Sequence, residues 1–175
     1  MSSQPRAALV CLDLQRYRSA GLASASVIAA CQRALEEARR RRWPVLHVHA
    51  RPPGADVRPL PGIEPRPNEP VFLRKGPSAF SSPAFTQAAH ATGGPLALVG
   101  FSLQDTVLAT AFAAADRDLD SEVVIDAVGM AGADSPSAQR ALTAPFLTLA
   151  PQGRLITLRD LFHEEAERFA AANLP

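Results

Sequence analysis

Ala7-Ala8-Leu9-Val10-Cys11-Leu12-Asp13 is an unbroken apolar run closed by a carboxylate. A strand with one wet face alternates apolar and polar residues, whereas a parallel strand covered on both faces reads as continuously apolar. The run therefore predicts an interior parallel strand with Asp13 at its carboxyl end. Ser24 or Ser26 can then cap a helix whose apolar residues Val27, Ile28, Cys31, Leu35 and Ala38 recur at helical spacing. Four arginines at 39–42 fall in its last turn, where cations suit the helix dipole.

The same alternation continues along the chain. Further strands are expected over 44–49, 71–75, 95–100, 122–126 and 154–158. A helix over 105–117 has Val107, Leu108, Ala111, Phe112 and Ala115 as its inner stripe, and Ser135-Pro136 reads as an N-cap with proline at the first helical position. A last helix is expected over 160–172, and Pro145 is expected to bend or shorten the helix that contains it. Strands alternating with helices imply right-handed crossovers, hence an α/β fold: a doubly wound, Rossmann-like parallel sheet with helices on both faces. The 175 residues fit one domain spanning 1–175. Residues 51–70 hold seven prolines and read as an extended surface loop, the kind that walls a pocket or meets another subunit.

Composition narrows the partners. A formal net charge of +1 supplies no field to attract nucleic acid or a membrane surface. The longest apolar stretches, 95–101 and 107–115, are far shorter than the ~18 residues of a membrane span. The first six residues lack the apolar core of a signal peptide, and Cys11 and Cys31 lie in segments that read as buried, so a reducing, cytoplasmic setting is expected. No Gly-x-Gly-x-x-Gly follows a strand and no phosphate-loop lysine motif occurs, so no nucleotide, flavin or other cofactor is implied. Of the 18 basic residues, 17 are arginine and one is Lys75. That imbalance reads equally well as a need for an ammonium at that position or as general drift toward arginine.

In open α/β sheets ligands bind beyond the carboxyl ends of the strands, where strand order reverses. Asp13 ends the first strand, Lys75 ends the short third one, and 101–106 follow the strand 95–100. These three segments are therefore expected to meet at one crevice.

Asp13-Leu14-Gln15-Arg16-Tyr17, Lys75 with Ser78-Ala79-Phe80, and Gly100-Phe101-Ser102-Leu103-Gln104-Asp105-Thr106-Val107 together resemble the isochorismatase-like hydrolases. The likeness runs in order over nearly the whole chain. It implies a triad of Asp, Lys and Cys, a cis peptide at Phe101–Ser102 with the amides of Ser102 and Thr106 as an oxyanion pocket, and a homo-oligomer, dimer or larger. The departure is at the nucleophile: Thr106 stands where the cysteine hydrolases carry cysteine, and neither Cys11 nor Cys31 matches that position. An alcohol is a far weaker acid than a thiol, and a mid-chain threonine lacks the free amine that activates threonine nucleophiles elsewhere. True isochorismatases are similar and also lack the cysteine, cleaving a vinyl ether with a proton donated by the Asp. For Asp13 to donate, it must be protonated, which a neighbouring ammonium opposes.

The resulting expectation is a hydrolase or lyase for a small anionic metabolite, with Asp13 as general acid or base and Lys75 positioning charge. Gln15, Ser102 and Thr106 orient the substrate, Arg18 binds a substrate carboxylate or stands exposed, and Phe80 lines the pocket or packs in the core. Phe101 contributes the cis peptide. The alternative is a pseudoenzyme that kept the fold as a binding or assembly module, marked by a filled crevice. A third reading makes Thr106 a nucleophile. His47 and His49 share a strand face, but no Asp-x-His accompanies them, and no metal is expected.

Overall fold

The computed structural model describes residues 7–21, 24–131 and 135–163. Six parallel strands, β1 (Ala8–Leu12), β2 (Val45–His49), β3 (Val71–Leu73), β4 (Leu96–Phe101), β5 (Ser121–Gly129) and β6 (Gly153–Ile156), form one sheet in the order β3-β2-β1-β4-β5-β6. Strand order reverses between β1 and β4, so the crevice of a doubly wound sheet opens there. All five residues of β1 are buried, as its unbroken apolar sequence requires.

The pleat divides the core in two. Leu9 and Cys11 of β1, Val45 of β2 and Ala97, Val99 and Phe101 of β4 face α2 (Ala25–Arg40). Ala8, Val10 and Leu12, with Leu96 and Leu98, face the helices of the other side: α3 (Pro83–Thr92), α4 (Leu108–Ala115) and α5 (Pro136–Leu149). The Ser24 hydroxyl caps α2 by accepting from the Val27 N–H, and Ser135 does the same for α5 from Ala138.

Three expectations need correction. The strand expected over 71–75 ends at Leu73, because Arg74 leaves the sheet after one last ladder bond from its N–H to the His49 carbonyl. The helix expected over 105–117 begins instead as a wide turn over Leu103–Val107, in which the Val107 N–H reaches back five residues to the Ser102 carbonyl. α5 runs through Pro145 without shortening, one of the two effects expected of that residue. Both Pro145 and Ala141, whose carbonyl loses its usual partner, are exposed, so that carbonyl is open to solvent. Of the helix expected over 160–172, helical backbone is present at 158–163 and the remainder lies outside the described residues.

Gly100 fixes the approach of β1 to β4. Its φ is +121°, and a Cβ there would stand 2.0 Å from the Leu12 carbonyl oxygen. Only glycine lets the two strands close at the position where they deliver Asp13 and the Phe101–Ser102 peptide to the same place. The proline-rich loop is anchored from inside: Leu60 and Ile63 are buried against α2, and the loop bridges to Gln15 through Pro59.

Candidate functional site

Asp13 emerges from β1 with φ +48°, a left-handed conformation that Asp tolerates better than most side chains, while its N–H still bonds the Val48 carbonyl. Its carboxylate is wholly buried. Arg74 meets it from the end of β3, with Nε 3.1 Å from both oxygens and Nη2 2.5 Å from Oδ2, and also donates through Nη1 to the Gly76 carbonyl at 2.7 Å. The buried Thr106 hydroxyl donates to Oδ2 at 3.2 Å. Arg18, from the short helix α1 (Arg16–Ser19), brings Nε to 3.7 Å of the same oxygen, beyond hydrogen-bonding reach.

The ammonium expected beside Asp13 is therefore a guanidinium. The Lys75 side chain is exposed, and its N–H bonds the Ser81 hydroxyl at 3.0 Å. The cause is the two-residue period of an extended chain: Phe72 and Arg74 share the inward side, Leu73 and Lys75 the outward one. Arg74 cannot lose its proton at any accessible pH and grips a carboxylate in a fixed plane, so it differs from lysine as a partner for chemistry.

Asp105 is the second unforeseen member. Its Oδ1 accepts from the Ser102 N–H at 3.0 Å and from the Thr106 N–H, the two amides implied as an oxyanion pocket. Arg18 Nη2 lies 2.8 Å from each Asp105 oxygen. Burial acts to raise the Asp105 carboxyl, but Arg18 and the Ser102 and Thr106 donors outweigh it and hold the group well below the ordinary carboxylate range. The peptide between Phe101 and Ser102 is cis.

The remaining expected residues serve the scaffold. Gln15, buried, uses its whole amide on backbone: Nε2 donates to the Ala50 and Val57 carbonyls at 3.1 and 2.6 Å, and Oε1 accepts from the Ala50 N–H at 3.0 Å. It ties β2 to the proline-rich loop, leaving no amide group to orient a substrate. Phe80 is buried edge-on against Phe85, with the Arg117 guanidinium over its ring, and Phe101 is buried on the opposite face. Thus Asp13, Arg18, Ser102 and Thr106 converge, Phe101 joins them through its cis peptide to Ser102 while its ring packs in the core, and Lys75, Gln15 and Phe80 do not join them. His47 bonds Glu69 at 2.9 Å, and among the described residues no group of three or more His, Cys, Asp or Glu is arranged to hold a metal ion. Cys11 and Cys31 are buried; burial raises both thiols, that of Cys31 to about 12 with Asp126 adding to the effect.

Arg74 and Asp105 both left faint traces in the sequence. Arg74 adjoins the residue chosen in its place, and Ser102-Leu103-Gln104-Asp105 has the spacing of a capping box, a helix-start signal with an acidic third residue.

A family model for the isochorismatase domain matches residues 7–150. The chain belongs to the isochorismatase family. Among solved structures, an isochorismatase family protein from Burkholderia thailandensis is similar at 25% identity and TM-score 0.74, over 89% of this chain and 93% of that one. An isochorismatase from Pseudomonas putida matches at 21% identity and TM-score 0.73, over 91% of each chain. An N-carbamoylsarcosine amidase from Thermoplasma acidophilum matches at 20% identity and TM-score 0.71, over 87% of this chain and 96% of that one. A comparison with curated proteins finds no match. No helix among the described residues is long and apolar enough to cross a membrane.

Proposed function

We propose that this isochorismatase-family chain is catalytically silent and acts by binding. The observation that carries this reading is that the chain's own side chains fill the positions where the reaction would occur. Asp105 takes both N–H groups that would stabilise an oxyanion, and Arg74 takes both oxygens of Asp13. An oxyanion hole works because its donors stand ready for charge that appears only during reaction, and donors already holding a carboxylate lose that advantage. The nucleophile position holds Thr106, an alcohol and so a far weaker acid than a cysteine thiol.

The test is a panel of small amides, carbamoyl compounds and vinyl ethers incubated with the protein, read both as turnover and as intact mass. The expected result is no turnover above background and no adduct. Turnover that falls about a hundredfold or more in Asp13→Asn, the usual size of a general acid–base contribution, would overturn the proposal.

One observation favours the hydrolase reading instead. The 3.2 Å contact from the Thr106 hydroxyl to Asp13 has the geometry of a nucleophile with its base. That reading requires an acyl adduct on Thr106 in the same mass measurement, lost in Thr106→Val.

A further inference from the structure

Asp105 is tethered to the chain by its own backbone, and the tether limits how it can meet Arg18. A carboxylate free in solution approaches arginine so that its two oxygens face two different nitrogens, the paired arrangement that makes this contact strong. Asp105 presents both oxygens to the single nitrogen Nη2. The neighbouring Nε is buried, has no hydrogen-bond partner among the described residues, and stops 3.7 Å short of Asp13. A buried N–H left unpaired is costly, and it marks a guanidinium that its resident partner does not saturate. The capping geometry around Ser102 explains why Asp105 accepts from the two amides. It does not explain an arginine 87 residues away in the chain turned onto the same carboxylate with half of its fork unused.

We infer that Arg18, with the N–H groups of Ser102 and Thr106, forms a receptor for a small free monocarboxylate, and that Asp105 is its built-in stand-in. The inference rests on the binding role proposed above and names the ligand class for that site. The exchange conserves charge. At rest two carboxylates, Asp13 and Asp105, face two guanidiniums, Arg74 and Arg18. When Asp105 turns outward and a carboxylate enters, the count is again two against two. Asp105 can turn outward because its side chain is 46% exposed, and the entering carboxylate takes over the Arg18, Ser102 and Thr106 donors that it gives up, whereas Asp13 has no exposure and stays with Arg74. An attached competitor acts at high effective concentration, so the apparent affinity of the intact protein for a free carboxylate is weakened by the stand-in.

The test is a titration with acetate at constant ionic strength, followed at the backbone amide resonances of Ser102 and Thr106, with chloride as the control anion. The wild type is expected to respond weakly. Asp105→Ala is expected to saturate at acetate concentrations at least tenfold lower, and adding Arg18→Met to that variant is expected to lose at least that tenfold. Equal responses in wild type and Asp105→Ala, or a response indifferent to Arg18, overturns the inference. Should Asp105→Ala fail to fold, Asp105→Asn keeps an oxygen on the amides while releasing Arg18. Acetate must then shift the Arg18 side-chain Nε resonance, and no shift also overturns the inference. Turnover in the substrate panel bears only on catalytic silence and leaves the acetate result to stand or fall by itself.

Discussion

Two buried carboxylates sit at opposite ends of the sheet, each held by arginine, and they are built differently. Glu69 stands at the amino-terminal side, next to β2. Arg39 binds it through Nε and Nη2 at 2.7 and 2.8 Å, one nitrogen to each oxygen, while His47 and the Arg66 N–H complete its shell at 2.9 Å each. Every contact there is well formed, and the adjoining cavity of about 620 Å³ is lined by further arginines. Asp13, at the carboxyl-terminal side, has a left-handed backbone, an arginine whose Nε falls short of it, and a second carboxylate one guanidinium away. The first network saturates its carboxylate, with four partners on two oxygens, although Nδ1 of His47 behind it has no hydrogen-bond partner among the described residues. In the second the unpaired atom belongs to the guanidinium that lies between two carboxylates, one of them nearly half exposed.

Removing each carboxylate separates the two cases. Asp13→Ala leaves Arg74, itself largely buried, facing an apolar gap, and is expected to cost about 3–5 kcal/mol by urea denaturation. A loss under 1 kcal/mol would mean that the Asp13 pair carries no structural weight. Glu69→Gln keeps the shape and some hydrogen bonds, and is expected to cost about 1.5–3 kcal/mol.

Proton linkage sharpens the contrast further. Burial acts to raise Glu69, but Arg39, the Arg66 N–H and His47 prevail and bring it from 4.5 down to about 2. A carboxylate depressed in the folded state stabilises the fold above its unfolded pKa, so this contribution is lost as pH falls from about 4.5 toward 2. His49 is lowered from 6.5 to about 4, chiefly by burial and then by His47. Between those values the unfolded chain binds the extra proton, so stability falls as pH drops from 6.5 to 4. The urea midpoint is expected to decline in two stages on acidification, with the upper stage reduced in His49→Gln, His47 being lowered by burial as well, and the lower one reduced in Glu69→Gln, Asp105 being depressed too. A profile with its upper stage unchanged in His49→Gln would show that this imidazole is not held neutral by its surroundings.

Much of this frame was legible in the residues. The run into Asp13 has the pattern of a strand covered on both faces, the first helix was signalled by Ser24 or Ser26, of which Ser24 is the cap, and Ser135 announced its own. The site was less legible because it depends on side-chain direction. At the end of β3 the basic residues Arg74 and Lys75 are adjacent, and a one-residue difference in an extended chain reverses which side a group faces. Composition drew attention to the lone lysine, whereas the pleat delivers its neighbour. Asp105 was hidden for another reason: read as part of an ordinary helix over 105–117 it lies in a regular first turn, and only the wide turn over Leu103–Val107 accounts for its grip on Ser102 and Thr106. Gln15 fitted a motif but met its partners in a loop whose path carries no periodic signal.

The smallest expected effect is the most informative about the carboxyl-terminal network. Arg18→Met removes a pair whose acidic member is nearly half exposed, so solvent screening limits its worth, and the loss is expected to be about 1 kcal/mol or less. Methionine keeps the buried stem of the side chain and removes an Nε that had no partner, which offsets part of that loss. Arg18 and Glu69 would then differ sharply in their contribution to folding although both belong to arginine–carboxylate contacts. If Arg18→Met instead destabilises as strongly as Glu69→Gln, the Arg18–Asp105 contact is a fastening like that at the other end of the sheet. In that event Asp105 would not be free to yield its place to a ligand.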